Sequence, residues 1–384
     1  MSAGSGQQLP QFITMNLLSG LSMGLAGVTL PLFAASLGGS AVLLGLLAVA
    51  QSVGILMMGL PAGLLVDRHG PGALLLIGSL TVGVLYMSLA LTSSLAMVAG
   101  VVLLAGCLMP LRSVALSALF MQKIVAVGVA RSGWFRASYM GGQILLAPLL
   151  AALLIGHLGY SGTYLIIGVS FMAVLLMYKP VIRHYQPSAA AVPRLSLAAL
   201  KQQLQLLIDD PRLRRYCGWE LSLQACNQFF TFFIALIAIR RFNVELATAT
   251  SLITLHGVCY VLALLWVGRL VQAIGEYRVR RTGCALTVIA LLCLTLAGSI
   301  TQLRLAAPLL GAGMGMLQVL SLGGLAQASQ RHGPGRVSGI NIFLFPLGGL
   351  LGSALGGVVG NYIGLQHVFA LLALVFATIG LRRR

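Results

Sequence analysis

The residues of this chain that could do chemistry are few, and they stand inside long apolar runs. Glu220, Gln224, Asn227 and Gln228 recur at spacings that put all four on one face of a helix. His256 stands at the centre of another apolar run, in Leu255-His-Gly-Val, and Arg112 in a third, within Met109-Pro-Leu-Arg-Ser-Val. Arg136 opens a fourth, with Tyr139 and Gln143 one and two turns deeper, and Asn16, Gln318 and Asn341 complete the polar set. A carboxylate such as Glu220 can take up and release a proton, and a neutral imidazole can do so near neutral pH. Two guanidinium groups lining one wall, Arg112 and Arg136, attract an anionic solute where the dielectric is low. Each residue also has a plainer reading that the sequence leaves open. Glu220 could be an interfacial partner for Arg214 or Arg215, His256 a histidine bonded between helices, and Arg112 a side chain snorkelling to the headgroups.

These residues need elements that can hold them, and composition says which. The chain has 384 residues, of which 59% are hydrophobic, 8% charged and only 6 acidic. A soluble core cannot hide that much apolar surface, so lipid is the solvent. An ionisable group in a spanning helix costs about 2.5–3.5 kcal/mol on insertion scales, which is why such a group faces a cavity or a partner. Apolar runs long enough to cross a bilayer fall at 12–36, 41–65, 72–93, 95–120, 136–157, 161–179, 216–239, 246–268, 282–299, 305–326, 339–360 and 367–381. They lack the alternation of barrel strands, so the fold class is an all-α polytopic membrane protein with twelve transmembrane helices. The division is an N-terminal six-helix bundle at 1–180, a cytoplasmic central loop at 181–215 and a C-terminal six-helix bundle at 216–384. Within the loop, Leu197, Leu200, Leu204 and Ile208 recur at helical spacing with Lys201, Gln202 and Gln205 between them, which predicts a helix lying at the cytoplasmic interface.

The net charge of +18 is a matter of topology rather than of nucleic-acid binding. Lys and Arg recur at every second loop instead of forming one stripe with interleaved aromatics, and of the loops of the opposite set only those holding Arg240, Arg241 and Arg304 are basic. The positive-inside rule then puts both termini in the cytoplasm of a cell whose plasma membrane, a bacterial inner membrane, holds the protein. The first helix has no basic segment and no cleavage site before it, and is expected to be retained. The six cysteines fall in or beside apolar helices without a CxxC, as small buried hydrophobes do. No metal-ligand spacing, no phosphate-binding loop and no loop long enough for a catalytic domain occurs, so neither a metal, nor ATP drive, nor enzyme chemistry is expected.

The two halves echo each other. Gly63-Leu-Leu-Val-Asp-Arg-His-Gly70 after the second helix matches Gly268-Arg-Leu-Val-Gln-Ala-Ile-Gly275 after the eighth, Arg131-Ser-Gly133 matches Arg336-Val-Ser-Gly339, and Gly156-His-Leu-Gly159 matches Gly360-Asn-Tyr-Ile-Gly364. The spacing is nearly constant, which argues for a duplication, and parallel halves place a site near the midplane between them. At the same spacing His256 matches Gln51, and Gln318 falls close to the position of Arg112.

The segment Gly63, Asp67, Arg68, Gly70 resembles the loop signature of major facilitator superfamily transporters, with Pro71-Gly72-Ala73 where the family has a basic cluster. The second copy lacks the acid, having Gln272, but keeps Arg278, Arg280 and Arg281. With helix count, half-repeat and central loop, the resemblance covers the whole chain. It implies a gating role for Asp67 and Arg68, with Gly63, Gly70, Gly268 and Arg278 shaping the two loops. A carboxylate there can pair with an arginine or sit at the N-terminus of a neighbouring helix, forming a latch released in the other access state. The resemblance also implies proton relay or substrate contact for the arginine of helix four, although Ser113-Val-Ala-Leu stands where glycines follow it in the family. Gly141-Gly-Gln-Ile-Leu-Leu-Ala-Pro148 is a remnant of the Gly- and Pro-containing motif of drug and metabolite antiporters, and it leans toward export.

The expectation is therefore a secondary active transporter exporting a small amphipathic, anionic metabolite, siderophore or drug by proton-coupled alternating access. It needs no cofactor beyond a proton gradient and works as a monomer in the bilayer. The alternatives are a proton-coupled symporter for uptake of a small organic solute, and a non-transporting membrane sensor with the same fold.

Overall fold

The structure is a computed structural model that describes residues 4–39, 41–127, 129–177 and 195–381. The basic residues of the segment 178–194 and the C-terminal Arg382 to Arg384 lie outside the described residues. The ordered elements are α1 (Gly4–Ser36), α2 (Ala41–His69), α3 (Pro71–Ser88), α4 (Leu95–Val127), α5 (Val129–Met140) and α6 (Ala147–Ala173). The short α7 (Leu197–Asp209) follows. Then come α8 (Pro211–Phe242), α9 (Leu246–Ile274), α10 (Glu276–Leu296), α11 (Ile300–His332), α12 (Pro334–Ala354), α13 (Gly360–Ile363) and α14 (Val368–Leu381). A π-helical segment, Gly141–Leu146, joins α5 to α6, and another, Leu355–Val359, joins α12 to α13.

Among the described residues 10 helical stretches are long and apolar enough to cross a membrane. One of these, Gly133–Met177, is broken at Gly159, whose φ of 66° turns the chain and leaves an apolar helix on each side. A shorter apolar helix, Leu365–Gly380, closes the set. These helices fall on the twelve apolar runs of the sequence. Several overshoot them: α11 extends to His332 and α4 to Val127, because hydropathy measures the thickness of lipid rather than the length of a helix. The turns are set by local chemistry. Asp210 caps α8 by accepting from Arg212 N and Leu213 N at 2.8 and 3.1 Å, with Pro211 in the first turn.

The chain forms two compact units. The first comprises 1–126, 134–209 and 326–343; the second comprises 127–133, 210–325 and 344–384, so α12 contributes to both. In the first unit α6 packs along α1 and α3, around an aromatic core in which Tyr86 stacks on Phe171 at 5.3 Å and Phe33 meets Tyr164 edge-on at 5.1 Å. In the second, α10 packs on α14 and α8 on α9. Met57, Leu149, Trp266 and Leu292 on these helices expose their apolar side chains.

Since lipid tails are as apolar as leucine, helix seams here depend on close backbone approach rather than on burial of grease. Equivalent seams recur in the two units. A methyl on Gly106 of α4 would fall 2.7 Å from the Gln51 carbonyl oxygen of α2, and one on Gly311 of α11 would fall 2.2 Å from that of His256 in α9. Gly142 abuts Leu17 and Leu21 of α1, as Gly348 abuts Leu221 and Ala225 of α8. The internal repeat read from loop echoes is thus also a repeat of packing.

Of the predicted stripe of α7, Leu197, Leu204 and Ile208 are exposed and Leu200 is half-buried. Its opposite side buries Ala199 and Gln203.

Candidate functional site

In the second unit the face of α8 that carries Glu220 is turned inward. Glu220 is 3% exposed. Its Oε1 accepts from Gln224 Nε2 at 2.7 Å, and its Oε2 accepts from Gln318 Nε2 at 2.7 Å and from Ser321 Oγ at 3.1 Å. All three donors are neutral. Gln318 continues the chain, because its Oε1 accepts from Tyr260 OH at 3.2 Å. Tyr260 stacks on His256 with ring centroids 6.3 Å apart, and His256 Nε2 donates to Asn227 Oδ1 at 3.2 Å. Phe230 closes over the imidazole at 4.6 Å. Helices α8, α9 and α11 thus share one buried polar network.

The network has a direction. An ionised Glu220 only accepts, so every neighbour must donate. A proton on Glu220 makes it a donor, and one neighbour must then reverse. Ser321 can rotate its hydroxyl, whose oxygen also lies 3.4 Å from the Tyr216 carbonyl, or Gln318 can turn its amide and disturb Tyr260. Glu220 of α8 is thus tied to Gln318 and Ser321 of α11, and through Gln318 to Tyr260 of α9.

The first unit buries the opposite charge. Arg112 of α4 is 1% exposed, and its guanidinium carbon lies 4.9 Å from the centroid of the Phe171 ring. Its Nε and Nη2 find no hydrogen-bond partner among the described residues. The acids of this unit are Asp67 and Asp209; the first is bonded elsewhere and the second is exposed. Tyr139 lies within electrostatic reach of both Arg112 and Arg136, and the Arg136 guanidinium stands 5.8 Å from its ring. The backbone of α3 approaches at Gly78, where a methyl would fall 2.8 Å from Arg112 N.

A second polar assembly of the first unit joins α2 to the first turn of α12. Asp67 Oδ1 accepts from Gly335 N at 2.6 Å and Oδ2 from Arg336 N at 2.9 Å, with Arg336 Nε 3.5 Å from Oδ2. These amides belong to the first turn of a helix, where backbone donors lack intrahelical partners and the dipole favours an anion. Gly333, at φ 94°, makes the turn that brings them there. Arg68, expected to share the gating role, is exposed; Arg336 holds the place beside Asp67. Gly70 and Gly275 adopt matching positive φ of 80° and 85° after α2 and α9, while Gly268 is buried and Arg278 exposed.

Of the remaining expected residues, Gln143 lies in the π-helical segment and is half-buried, as are Gln228 and Asn341. The side chain of Asn341 leaves Oδ1 buried and without a partner among the described residues. The structure thus gathers Glu220, Gln224, Asn227, His256 and Gln318 into one network and keeps Arg112 and Arg136 in another. Three participants were not singled out by sequence: Tyr260, one helical turn after His256; Ser321, three residues after Gln318; and Arg336, which appeared only as a repeat echo. Among the described residues no group of His, Cys, Asp and Glu is placed to hold a metal ion.

The sequence matches the family model for the Major Facilitator Superfamily over residues 12–240 and 221–382. No curated protein sequence matches it significantly. Among solved structures it is similar to the fucose:proton symporter of E. coli, with a TM-score of 0.80 at 16% identity over 98% of each chain. It is similar to the human organic anion transporter TETRAN, with a TM-score of 0.79 at 18% identity over 99% of each chain. A bacterial homologue of the iron transporter ferroportin gives 0.77 at 15% identity, covering 97% of this chain and 99% of that one. At these identities the likeness is one of fold.

Proposed function

The chain belongs to the Major Facilitator Superfamily, and from that premise we propose that it exports a small amphipathic, carboxylate-bearing solute in exchange for protons. Membership makes it an integral membrane transporter rather than an enzyme. Direction, solute and coupling ion are the proposal.

The observation that carries it is the setting of Glu220. A carboxylate buried among three neutral donors, in a helix that crosses the membrane, exchanges a proton at the cost of rearranging only a hydroxyl or an amide. Arg112 supports the anionic class of solute. A buried guanidinium with no carboxylate to bond in its own unit gains most from an anion that arrives and leaves. We assign the basic loops to the cytoplasm of a bacterial cell and the active form to the monomer. In alternating access, the six-helix halves at 1–180 and 216–384 rock about a shared vestibule, and the Asp67 latch is made in one state and broken in the other.

The test is solute flux from proteoliposomes, with a mixture of small amphipathic carboxylates read by mass, with and without an inward proton gradient. Export predicts that the gradient accelerates loss of at least one carboxylate. Uptake by symport, the second reading, predicts accumulation instead; the symporter among the similar structures keeps that reading in view. A non-transporting sensor moves nothing under either condition.

A further inference from the structure

The helix that links the two halves of the chain does more than lie on a surface. One side chain of α7, Gln203, is 1% exposed, though it stands on a helix whose Leu197 and Ile208 are open. Its Nε2 donates to the Arg336 carbonyl oxygen at 2.9 Å. The Arg336 peptide is therefore gripped on both sides: its N–H by Asp67 and its C=O by Gln203. The carbonyl has a second lone pair, so the grip does not compete with the helix.

The amide reaches that carbonyl through a gap made by glycines. Methyls on Gly63 of α2 and Gly339 of α12 would lie 3.0 and 3.1 Å from Gln203 Nε2. The same methyls would lie 2.7 Å from the Gly335 oxygen and 2.8 Å from the Gly59 oxygen. The crossing of α2 and α12 is thus glycine on glycine, with one amide wedged at its edge. Gln203 Oε1 is buried and has no partner among the described residues. Stability alone does not favour an amide oxygen left unbonded. A grip that must also let go tolerates one.

We propose that Gln203 is a positioning residue of the latch: from α7 it holds the Arg336 peptide in place for Asp67, so that the linker joins in holding α12 against α2. The proposal rests on the latch reading of Asp67.

Amide hydrogen exchange of the full-length protein in lipid nanodiscs tests both, read on the peptide spanning 334–340. Asp67→Asn tests the latch, Gln203→Glu and Gln203→Leu test the grip, and Gln205→Ala, at an exposed position of the same helix, is the control. One hydrogen bond contributes about 0.5–1.5 kcal/mol, so both Gln203 variants are expected to speed exchange at the start of α12 roughly two- to tenfold. Exchange in the rest of the chain should match the control. Unchanged exchange at 334–340 in both Gln203 variants, or a rise spread evenly through the molecule, overturns the proposal and leaves the latch standing if Asp67→Asn still speeds exchange. No effect of Asp67→Asn removes the latch, and the proposal with it.

Discussion

Where α4 of the first unit sets Arg112 against Gly78, α11 of the second sets Leu317 against Gly283. Where α1 carries Asn16 just ahead of its contact with Gly142, α8 carries Glu220 just ahead of its contact with Gly348. The frames repeat, and the buried charges do not. Buried Arg112 in one unit has no acid bonded to it, and buried Glu220 in the other is bonded by neutral donors alone among the described residues. Their energetics differ in kind. Glu220 is bonded by three donors and so stabilises its surroundings, whereas Arg112 is held mainly by an aromatic face and costs its unit free energy. A duplicated scaffold can thus bury opposite charges at separate places; in the function proposed above, one serves a proton and the other a solute.

The contrast makes predictions of opposite sign. Glu220→Leu should destabilise strongly, because each donor orphaned at Gln224 and Gln318 costs about 1–3 kcal/mol, while Ser321 keeps the Tyr216 carbonyl; a fall in the thermal midpoint measures it. Arg112→Met should raise the midpoint, since it replaces an uncompensated buried charge with an apolar side chain of similar length. The same variant should weaken binding of carboxylate solutes roughly 10- to 100-fold, the worth of a charged hydrogen bond. A midpoint that falls in Arg112→Met would show that the guanidinium already has an anionic partner and would erase the contrast.

Two smaller effects sharpen it. Gly311→Ala should cost about 1–3 kcal/mol by overpacking, and more than Gly106→Ala, because its methyl meets the facing carbonyl at 2.2 Å rather than 2.7 Å. Denaturation of the two variants side by side gives the difference. Tyr260→Phe should cost only about 0.5–1.5 kcal/mol, yet alter the pH dependence of flux if Tyr260 reports the state of Glu220 through Gln318.

What could be read from sequence follows from range. Lipid-crossing helices announce themselves in composition, and Glu220, Gln224 and Asn227 share a face because helical spacing is local. The pairing of Gln51 with His256 came from the repeat, which carries one half's geometry to the other. Tyr260 and Ser321 were within reach, one turn from residues already noted, but a tyrosine or serine in a spanning helix is common enough to pass as packing. Arg336 and Gln203 were not. Arg68 adjoins Asp67 in sequence, while the arginine whose side chain lies 3.5 Å from the Asp67 carboxylate comes from α12, and nothing local in α7 marks Gln203 as buried and Leu197 as open.

The central claim is that Glu220 couples solute to proton, and the most direct measurement is carboxylate efflux from proteoliposomes under an inward proton gradient, comparing the native chain with Glu220→Gln. The account predicts that the gradient accelerates efflux by the native chain, and that the variant still exchanges solute across its membrane but ignores the gradient. Equal acceleration in both, or native efflux indifferent to the gradient, would contradict it.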